Sequence, residues 1–323
     1  MTGTLNGMVG GSPALQAVRD LIQKVAPTEA SVLIWGESGS GKELVARAIH
    51  AHSARAAGPF LDINCGALPP TLIETELFGF ERGSFTGAER THVGLVERAS
   101  GGTLFLDEVT EMSAEMQTRL LRFLETHRFM RVGGSRELQT DVRIVAATNR
   151  HPYKAVGEGA LREDLFYRLA VFPIYLPPLR ERCDDVSLLA EHFLSVLNVR
   201  NRSVKLLSED SRKTLHAHRW PGNVRELKHA IERAYIMCEG RLELQPMSWF
   251  ATGRDCADST DADGGIPVPI GSSLDEVERW LIKATLAHWD GNKHRTASTL
   301  GCSLKTLYNK LTLYSHEEGI TRA

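Results

Sequence analysis

Residues 36–43, Gly-Glu-Ser-Gly-Ser-Gly-Lys-Glu, have the composition of a loop that wraps an anion. Gly36, Gly39 and Gly41 let backbone N–H groups turn inward, and a helix beginning at Lys42 adds its dipole. Lys42 supplies a point charge for the outer phosphates of a nucleotide, with Glu37, Ser38, Ser40 and Glu43 filling out the cradle. The bare spacing of glycines and lysine arises often by chance. It gains meaning here because the apolar run Ser31–Trp35 leads into it and an amphipathic helix leaves it. Glu43 stands where the general motif has a hydroxyl on magnesium. Its carboxylate could hold the ion through water, or the ion could depend more on a second acidic motif.

That second motif is Thr-Leu-Phe-Leu-Asp-Glu at 103–108, an apolar strand that delivers two carboxylates to the carboxyl edge of a sheet. Asp107 is expected to orient Mg2+. Glu108 is expected to polarise the attacking water, because positioning and electrostatics carry most phosphoryl-transfer catalysis. Thr148-Asn149 closes another strand on the same edge, where the Asn149 amide can bond a γ-phosphate or the water; taken alone, a simple turn is the preferred reading of the pair. Between these motifs lies a loop of another kind, Gly83-Ser84-Phe85-Thr86-Gly87-Ala88. Its glycines can form the two bends of a projecting turn with Phe85 and Thr86 at the tip. An exposed Phe is costly unless it touches something. The segment therefore reads either as a contact loop or as a surface turn with Phe85 folded back onto the core.

The elements that must position these residues alternate. Strands are expected at Ser31–Trp35, Phe60–Asn64, Thr103–Leu106, Val142–Ala147 and Val171–Leu176, and helices at Lys42–His52, Pro70–Phe78, Ser113–Glu125 and Asp184–Asn198. Ser12-Pro13 reads as an N-cap and first turn of an opening helix to about Val25. Such alternation argues for an α/β domain, a parallel sheet with helices on both faces. From Ser208 the pattern is all helical, with helices near Ser208–His218 and Asn223–Met237. Residues 251–272 are rich in Asp, Gly, Pro and Ser, the composition of a flexible linker. Four segments follow: an α/β nucleotide-binding subdomain (1–180), a helical lid (181–250), the linker (251–272) and a small all-α domain (273–323).

Composition narrows the classes. The 323 residues, 42% hydrophobic and 24% charged, fit a globular chain of about two domains. No apolar run is long enough to span a membrane, and the N-terminus lacks the form of a secretory signal. The five cysteines, Cys65, Cys183, Cys238, Cys256 and Cys302, are scattered without C-x-x-C spacing, which suggests a reducing, cytoplasmic location and neither disulfide nor zinc. The net charge of −2 says little, but residues 289–314 set Lys293, Arg295, Lys305 and Lys310 against Asp290 alone.

With these motifs in order, the chain resembles the AAA+ domain of the NtrC-type bacterial enhancer-binding proteins, activators of sigma-54 RNA polymerase. The resemblance runs from about Gly10 to Pro246 and includes GESGSGKELVARAIH, ETELFGFERGSFTGA, GGTLFLDE, DVRIVAATN, LREDLFYRL, LPPLRER and WPGNVREL. It implies an ATPase using ATP and Mg2+, in which Asn64 holds Glu108 in waiting until the γ-phosphate is sensed. Arg162 and Arg168 become arginine fingers reaching a neighbouring subunit's nucleotide, and Arg225 a lid arginine reading the nucleotide in cis. It also implies a homo-oligomeric ring, expected as a hexamer with seven subunits left open. In the family, hydrolysis moves the 83–88 loop against sigma-54, opening the closed promoter complex. The family loop reads GAFTGA, so Ser84 replaces Ala; Glu43 matches the family's own phosphate loop.

Residues 293–313 fit a helix-turn-helix: Ala297 is small where helices cross, Gly301 permits the turn and Ser303 caps the next helix. Leu304, Leu307 and Leu311 share one face, leaving Lys305, Thr306, Tyr308, Asn309 and Lys310 for phosphates and base edges of enhancer double-stranded DNA. This segment resembles the Fis-type reader of the same activators, with Leu274–His288 as its supporting helix. Two other functions remain: another AAA+ remodeller, or a DNA-binding regulator that has lost the sigma-54 contact. The ATPase begins by residue 12, so no receiver or ligand-sensing domain is expected, and control falls to a regulatory protein in trans unless a sensor has been removed.

Overall fold

The computed structural model describes residues 7–85, 87–244, 273–289 and 292–311, with the side chains at 70, 274, 276, 280, 287 and 288 excepted. Thr86, the 251–272 segment and residues 312–323 lie outside the described residues. The chain divides into two units, Met1–Phe250 and Ala251–Ala323. No helix among the described residues is long and apolar enough to cross a membrane.

In the first unit, α1 (Pro13–Val25) opens on Ser12, whose hydroxyl accepts the Leu15 N–H. Then come β1 (Val32–Trp35), α2 (Lys42–Ala51), β2 (Phe60–Asn64), α3 (Pro70–Phe78), the single turn α4 (Leu95–Arg98) and β3 (Thr103–Asp107). Next are α5 (Ala114–Thr126), the short strands β4 (Arg128–Met130) and β5 (Glu137–Gln139), β6 (Arg143–Thr148), α6 (Pro152–Gly157), α7 (Glu163–Leu169) and β7 (Phe172–Tyr175). The five long strands form one parallel sheet in the order β2-β3-β6-β1-β7. Both faces are covered: one cluster packs α1 and α2 against Ile34, Phe105 and Val145, and another packs α3, α5 and α7 against Leu33, Leu104 and Ile144. This is why the central strands β1, β3 and β6 are buried along nearly their whole length instead of on alternate residues.

Register decides the site. Asn64 pairs with Asp107, and Trp35 with both Thr148 and Tyr175. All five strands therefore end together, and the residues after Trp35, Asn64, Asp107 and Thr148 share one edge. The chain order switches at β1, and the 36–41 loop leaves there, the position at which open α/β sheets bind ligands.

Three helices complete the unit: α8 (Asp184–Asn201), α9 (Glu209–Ala217) and α10 (Asn223–Met237), with a two-residue parallel pair of β8 (Leu206–Leu207) and β9 (Arg241–Leu242). They enclose their own core of Leu189, Leu215, Trp220, Leu227 and Ile231. The β4–β5 hairpin, α6, α7 and the β8–β9 pair go beyond the sequence expectation. Their strands are two or three residues long and their helices six or seven, too short for periodicity to register.

The second unit holds α11 (Leu274–His288), α12 (Lys293–Thr299) and α13 (304–311). Ile282, Ala297 and Leu307 are buried among Leu300, Leu304 and Leu311. Gly301 takes φ +65 at the turn, and the Thr306 N–H donates to the Ser303 hydroxyl at 3.1 Å.

Candidate functional site

The 36–41 loop is shaped from two sides. Gly39 has φ +75 and Gly41 φ +107, a backbone sign that favours glycine. A Cβ at Gly36 would stand 2.4 Å from the Leu176 carbonyl oxygen, and one at Gly39 2.4 Å from that of Gly222. The helical lid therefore closes directly on the loop. The Val224 N–H donates to the Gly39 carbonyl at 3.0 Å, and Arg225 Nη1 donates to Ser38 Oγ at 3.0 Å. Fully buried Asn223 bridges both parts: its Oδ1 accepts from the Leu179 N–H at 2.7 Å, and its Nδ2 donates to Glu37 and to the Ser38 carbonyl. Arg180 grips Glu37 with two bonds of 2.6 and 2.8 Å, holding that carboxyl below the usual range, and Arg182 donates to the Ser40 carbonyl. Asn223, Arg180 and Arg182 escaped the sequence reading of the site, although they lie in WPGNVREL and LPPLRER, because nothing local ties those phrases to residue 37.

Lys42 is buried, with its Nζ 3.0 Å from the Gly36 carbonyl and 3.6 Å from Glu108 Oε1. Glu108 adopts φ 55, a left-handed conformation rare outside glycine, which turns its side chain back across the sheet edge. Its other oxygen accepts the Asn149 backbone N–H at 2.9 Å. Asn149 thus meets Glu108 through its main chain. Burial first, and then the charge of Glu108, push the Asp107 carboxyl above its ordinary range; Lys42 offsets this in part. Asn64 departs from expectation. Its amide donates to Asp107 at 3.4 Å, while Glu108 is ion-paired with Lys42 and accepts a hydrogen bond from the Asn149 N–H. Asn64 and Asp107 face each other in the β2–β3 register, one residue short of Glu108, which explains the difference. Glu43 turns outward to Arg47 at 2.7 Å.

A cleft beside the loop is lined by Val9, Leu44, Leu176, Leu189, Phe193 and Val224. These residues come from segments nearly the whole unit apart, so no sequence motif could announce them. Arg162 and Arg168 lie elsewhere. Arg162 is exposed and pairs with Asp164 at 2.7 Å. Arg168 donates to the Leu124 carbonyl at 2.9 Å and lines a cavity with Ser31 and Arg143, at the amino edge of the sheet and away from the unit's own phosphate loop.

The 83–88 loop rises from a stem in which Phe80 and His92 exchange backbone bonds of 2.9 and 3.1 Å. Gly83 has φ +81 and Gly87 φ +109, with open space around both. The Gly83 N–H donates to the Ala88 carbonyl at 2.8 Å, and Ala88 is buried. Phe85 is 46% exposed yet rests edge-on against Phe80, ring centroids 5.0 Å apart, so it is neither fully projecting nor folded into the core. In the second unit, Lys305, Thr306, Tyr308 and Asn309 are exposed on α13, whereas Lys310 is turned to Glu278 of α11 in an ion pair. Lys293, counted in the basic stretch of the sequence but given no contact role there, lies 4.5 Å over the Tyr308 ring from the preceding helix.

Comparison with known proteins identifies the family. Residues 8–175 match the sigma-54 interaction domain, 180–247 the AAA+ ATPase lid domain and 273–314 the bacterial regulatory protein, Fis family. The transcriptional regulatory protein FlbD of Caulobacter vibrioides is 44% identical over 319 residues, covering 95% of this chain and 70% of its own. ZraR of Escherichia coli K12 is 45% identical over 318 residues, covering 97% and 70%. Among solved structures, NtrX of Brucella abortus superimposes with a TM-score of 0.71 at 36% identity over 94% of this chain and 68% of its own. The same protein in complex with ADP gives 0.72 at 37% identity, over 96% and 69%. With the sigma-54 interaction domain spanning residues 8–175 and such relatives along nearly its whole length, the chain belongs to the NtrC-type family of sigma-54-dependent transcriptional activators, built from an AAA+ P-loop domain, a helical lid and a Fis-type helix-turn-helix.

Proposed function

We propose that this chain is a cytoplasmic ATPase that binds enhancer DNA and spends ATP hydrolysis on remodelling the sigma-54 RNA polymerase closed complex to the open one. The observation that carries this reading is the placement of Glu108 between Lys42 at 3.6 Å and the Asn149 N–H at 2.9 Å, on the sheet edge beside the phosphate loop. A γ-phosphate entering there takes up the Lys42 ammonium and frees one oxygen of Glu108. That carboxylate then accepts a proton from the attacking water as its oxygen bonds to phosphorus and the bond to the β-phosphate bridge breaks. The residues also fit a divalent ion. Asp107 is a half-buried carboxylate crowded by a second one, and a cation beside it relieves both desolvation and repulsion. No cluster of three acidic, His or Cys side chains exists among the described residues, so phosphate oxygens and water would complete the shell, as suits Mg2+. The ion would neutralise charge developing on the phosphates. The backbone of Gly36, Glu37, Ser38, Gly39, Ser40 and Gly41 and the Lys42 side chain cradle the phosphates, the cleft of Val9, Phe193 and Val224 takes the base, and Arg225 reports the nucleotide to the lid.

Arg162 and Arg168 serve a neighbouring subunit in a ring; Arg168's distance from its own phosphate loop supports this assignment. Residues 83–88 meet sigma-54, and Lys305, Thr306, Tyr308 and Asn309 meet DNA. The test is ATP-dependent opening of a sigma-54 promoter by purified protein. Glu108→Gln is expected to bind ATP yet lose turnover by about a thousandfold, and Thr86→Ala to hydrolyse ATP without opening the promoter. Equal opening by Thr86→Ala and wild type would remove the loop's role.

A further inference from the structure

The 83–88 loop is seated on the β4–β5 hairpin through one unusual contact. Ser84 packs directly on Gly133 at the hairpin turn: a Cβ at Gly133 would stand 2.5 Å from Ser84 Cβ and 3.1 Å from Ser84 Cα. Gly133 also has φ +72, so both space and backbone sign require glycine there. The surrounding polar groups are bonded. The Glu81 N–H donates to the Val132 carbonyl at 3.0 Å and the Ser84 N–H to the Glu81 carbonyl at 3.2 Å. Arg131, on the same hairpin, reaches both Glu81 and Glu97 at 2.8 Å. The Ser84 hydroxyl, by contrast, is buried in the contact and has no hydrogen-bond partner among the described residues.

A hydroxyl shut away from water without a partner disfavours the state that buries it by roughly tenfold or more in the equilibrium constant. Lifting the loop from the hairpin returns that hydroxyl to water. An alanine would fill the same contact without the penalty. We propose that Ser84 sets the resting position of the loop: its unpartnered hydroxyl weakens the seat on Gly133, so the tip leaves the hairpin more readily than alanine at this position would allow. The consequence for sigma-54 rests on the function proposed above, whereas the seat is a property of this chain alone.

Hydrogen exchange on the full chain tests it, without sigma factor or DNA. The Glu81 N–H donates to the Val132 carbonyl and the Val132 N–H to the Gly79 carbonyl, bonds that cross between the stem and the hairpin, so exchange at these two amides reports lifting. Ser84→Ala is expected to slow them about tenfold while leaving the α5 amides as they are. Gly133→Ala drives a methyl into residue 84 and is expected to speed them at least as much, and Ser84→Gly in that background brings them back toward wild type. Should Gly133→Ala speed α5 equally, the hairpin is needed for folding, and Ser84→Ala alone decides. A purely structural serine would leave exchange unchanged or faster in Ser84→Ala, and either result overturns the proposal. A loop that exchanges as expected but never captures sigma-54 counts against the proposed function and leaves the seat standing.

Discussion

Two loops of this molecule are built from the same residues for opposite physical reasons. Both 36–41 and 83–88 depend on glycines with positive φ and carry small polar residues between them. In the first, Gly36 and Gly39 press against the Leu176 and Gly222 carbonyls, and the lid adds bonds from Asn223, Val224, Arg225, Arg180 and Arg182. In the second, nothing lies within 4 Å of a Cβ at Gly83 or Gly87, and the attachments are a few local backbone bonds, Phe85 on Phe80 and Ser84 on Gly133. Gly36 and Gly39 in the phosphate loop make room for neighbours; Gly83 and Gly87 in the projecting loop, like Gly41, only turn the chain. A loop that must present N–H groups to an anion gains from being held in place beforehand. A loop that must move gains from low local stability.

Substitutions can break or sharpen this contrast. The largest effect is expected from Gly39→Ala, whose methyl meets a backbone carbonyl on the lid and a backbone of φ +75. It should lower stability by about 3 kcal/mol in urea unfolding and abolish detectable ATP binding; wild-type affinity would show that the lid does not shape the loop. Asn223→Ala should cost about 2 kcal/mol, because it strands the Leu179 N–H and loosens Glu37 and Ser38. Gly87→Ala meets no neighbour and carries only the strain of φ +109, so a loss of about 1 kcal/mol is expected. A loss equal to that of Gly39→Ala would mean that the projecting loop is packed after all.

The smallest effect comes with a pH signature. Asp107 keeps its proton more tightly folded than unfolded, since burial and Glu108 raise its pKa. The stability it contributes is full below the unfolded value and is lost as pH rises through the folded one. Asp107→Asn should therefore raise the Tm of the nucleotide-free protein at pH 7, and the gain should vanish as pH falls below the ordinary aspartate range. Turnover should fall despite the added stability. A Tm difference that persists unchanged into acid would assign the gain to something other than this carboxylate.

Much of the site was legible before any coordinates. The phosphate loop, the Asp107-Glu108 strand end, the 83–88 turn and the buried face of α13 each depend on residues within a few positions of one another. Backbone sign, strand length and helical period are local properties, so these elements and their motifs could be read directly. Pairing across the fold could not. Asn64 meets Asp107 because β2 and β3 align in one register, Lys310 turns to Glu278 because α11 passes beside α13, and Arg168 caps α5 because α7 packs on it. The residues that line the cleft beside the phosphate loop are drawn from positions 7 to 224. Hydrogen bonds and ion pairs act over less than about 4 Å, and only the folded chain decides which distant residues come that close. The sequence by itself determined the chemical groups and the local turns that present them; the tertiary structure decided which of those groups face each other.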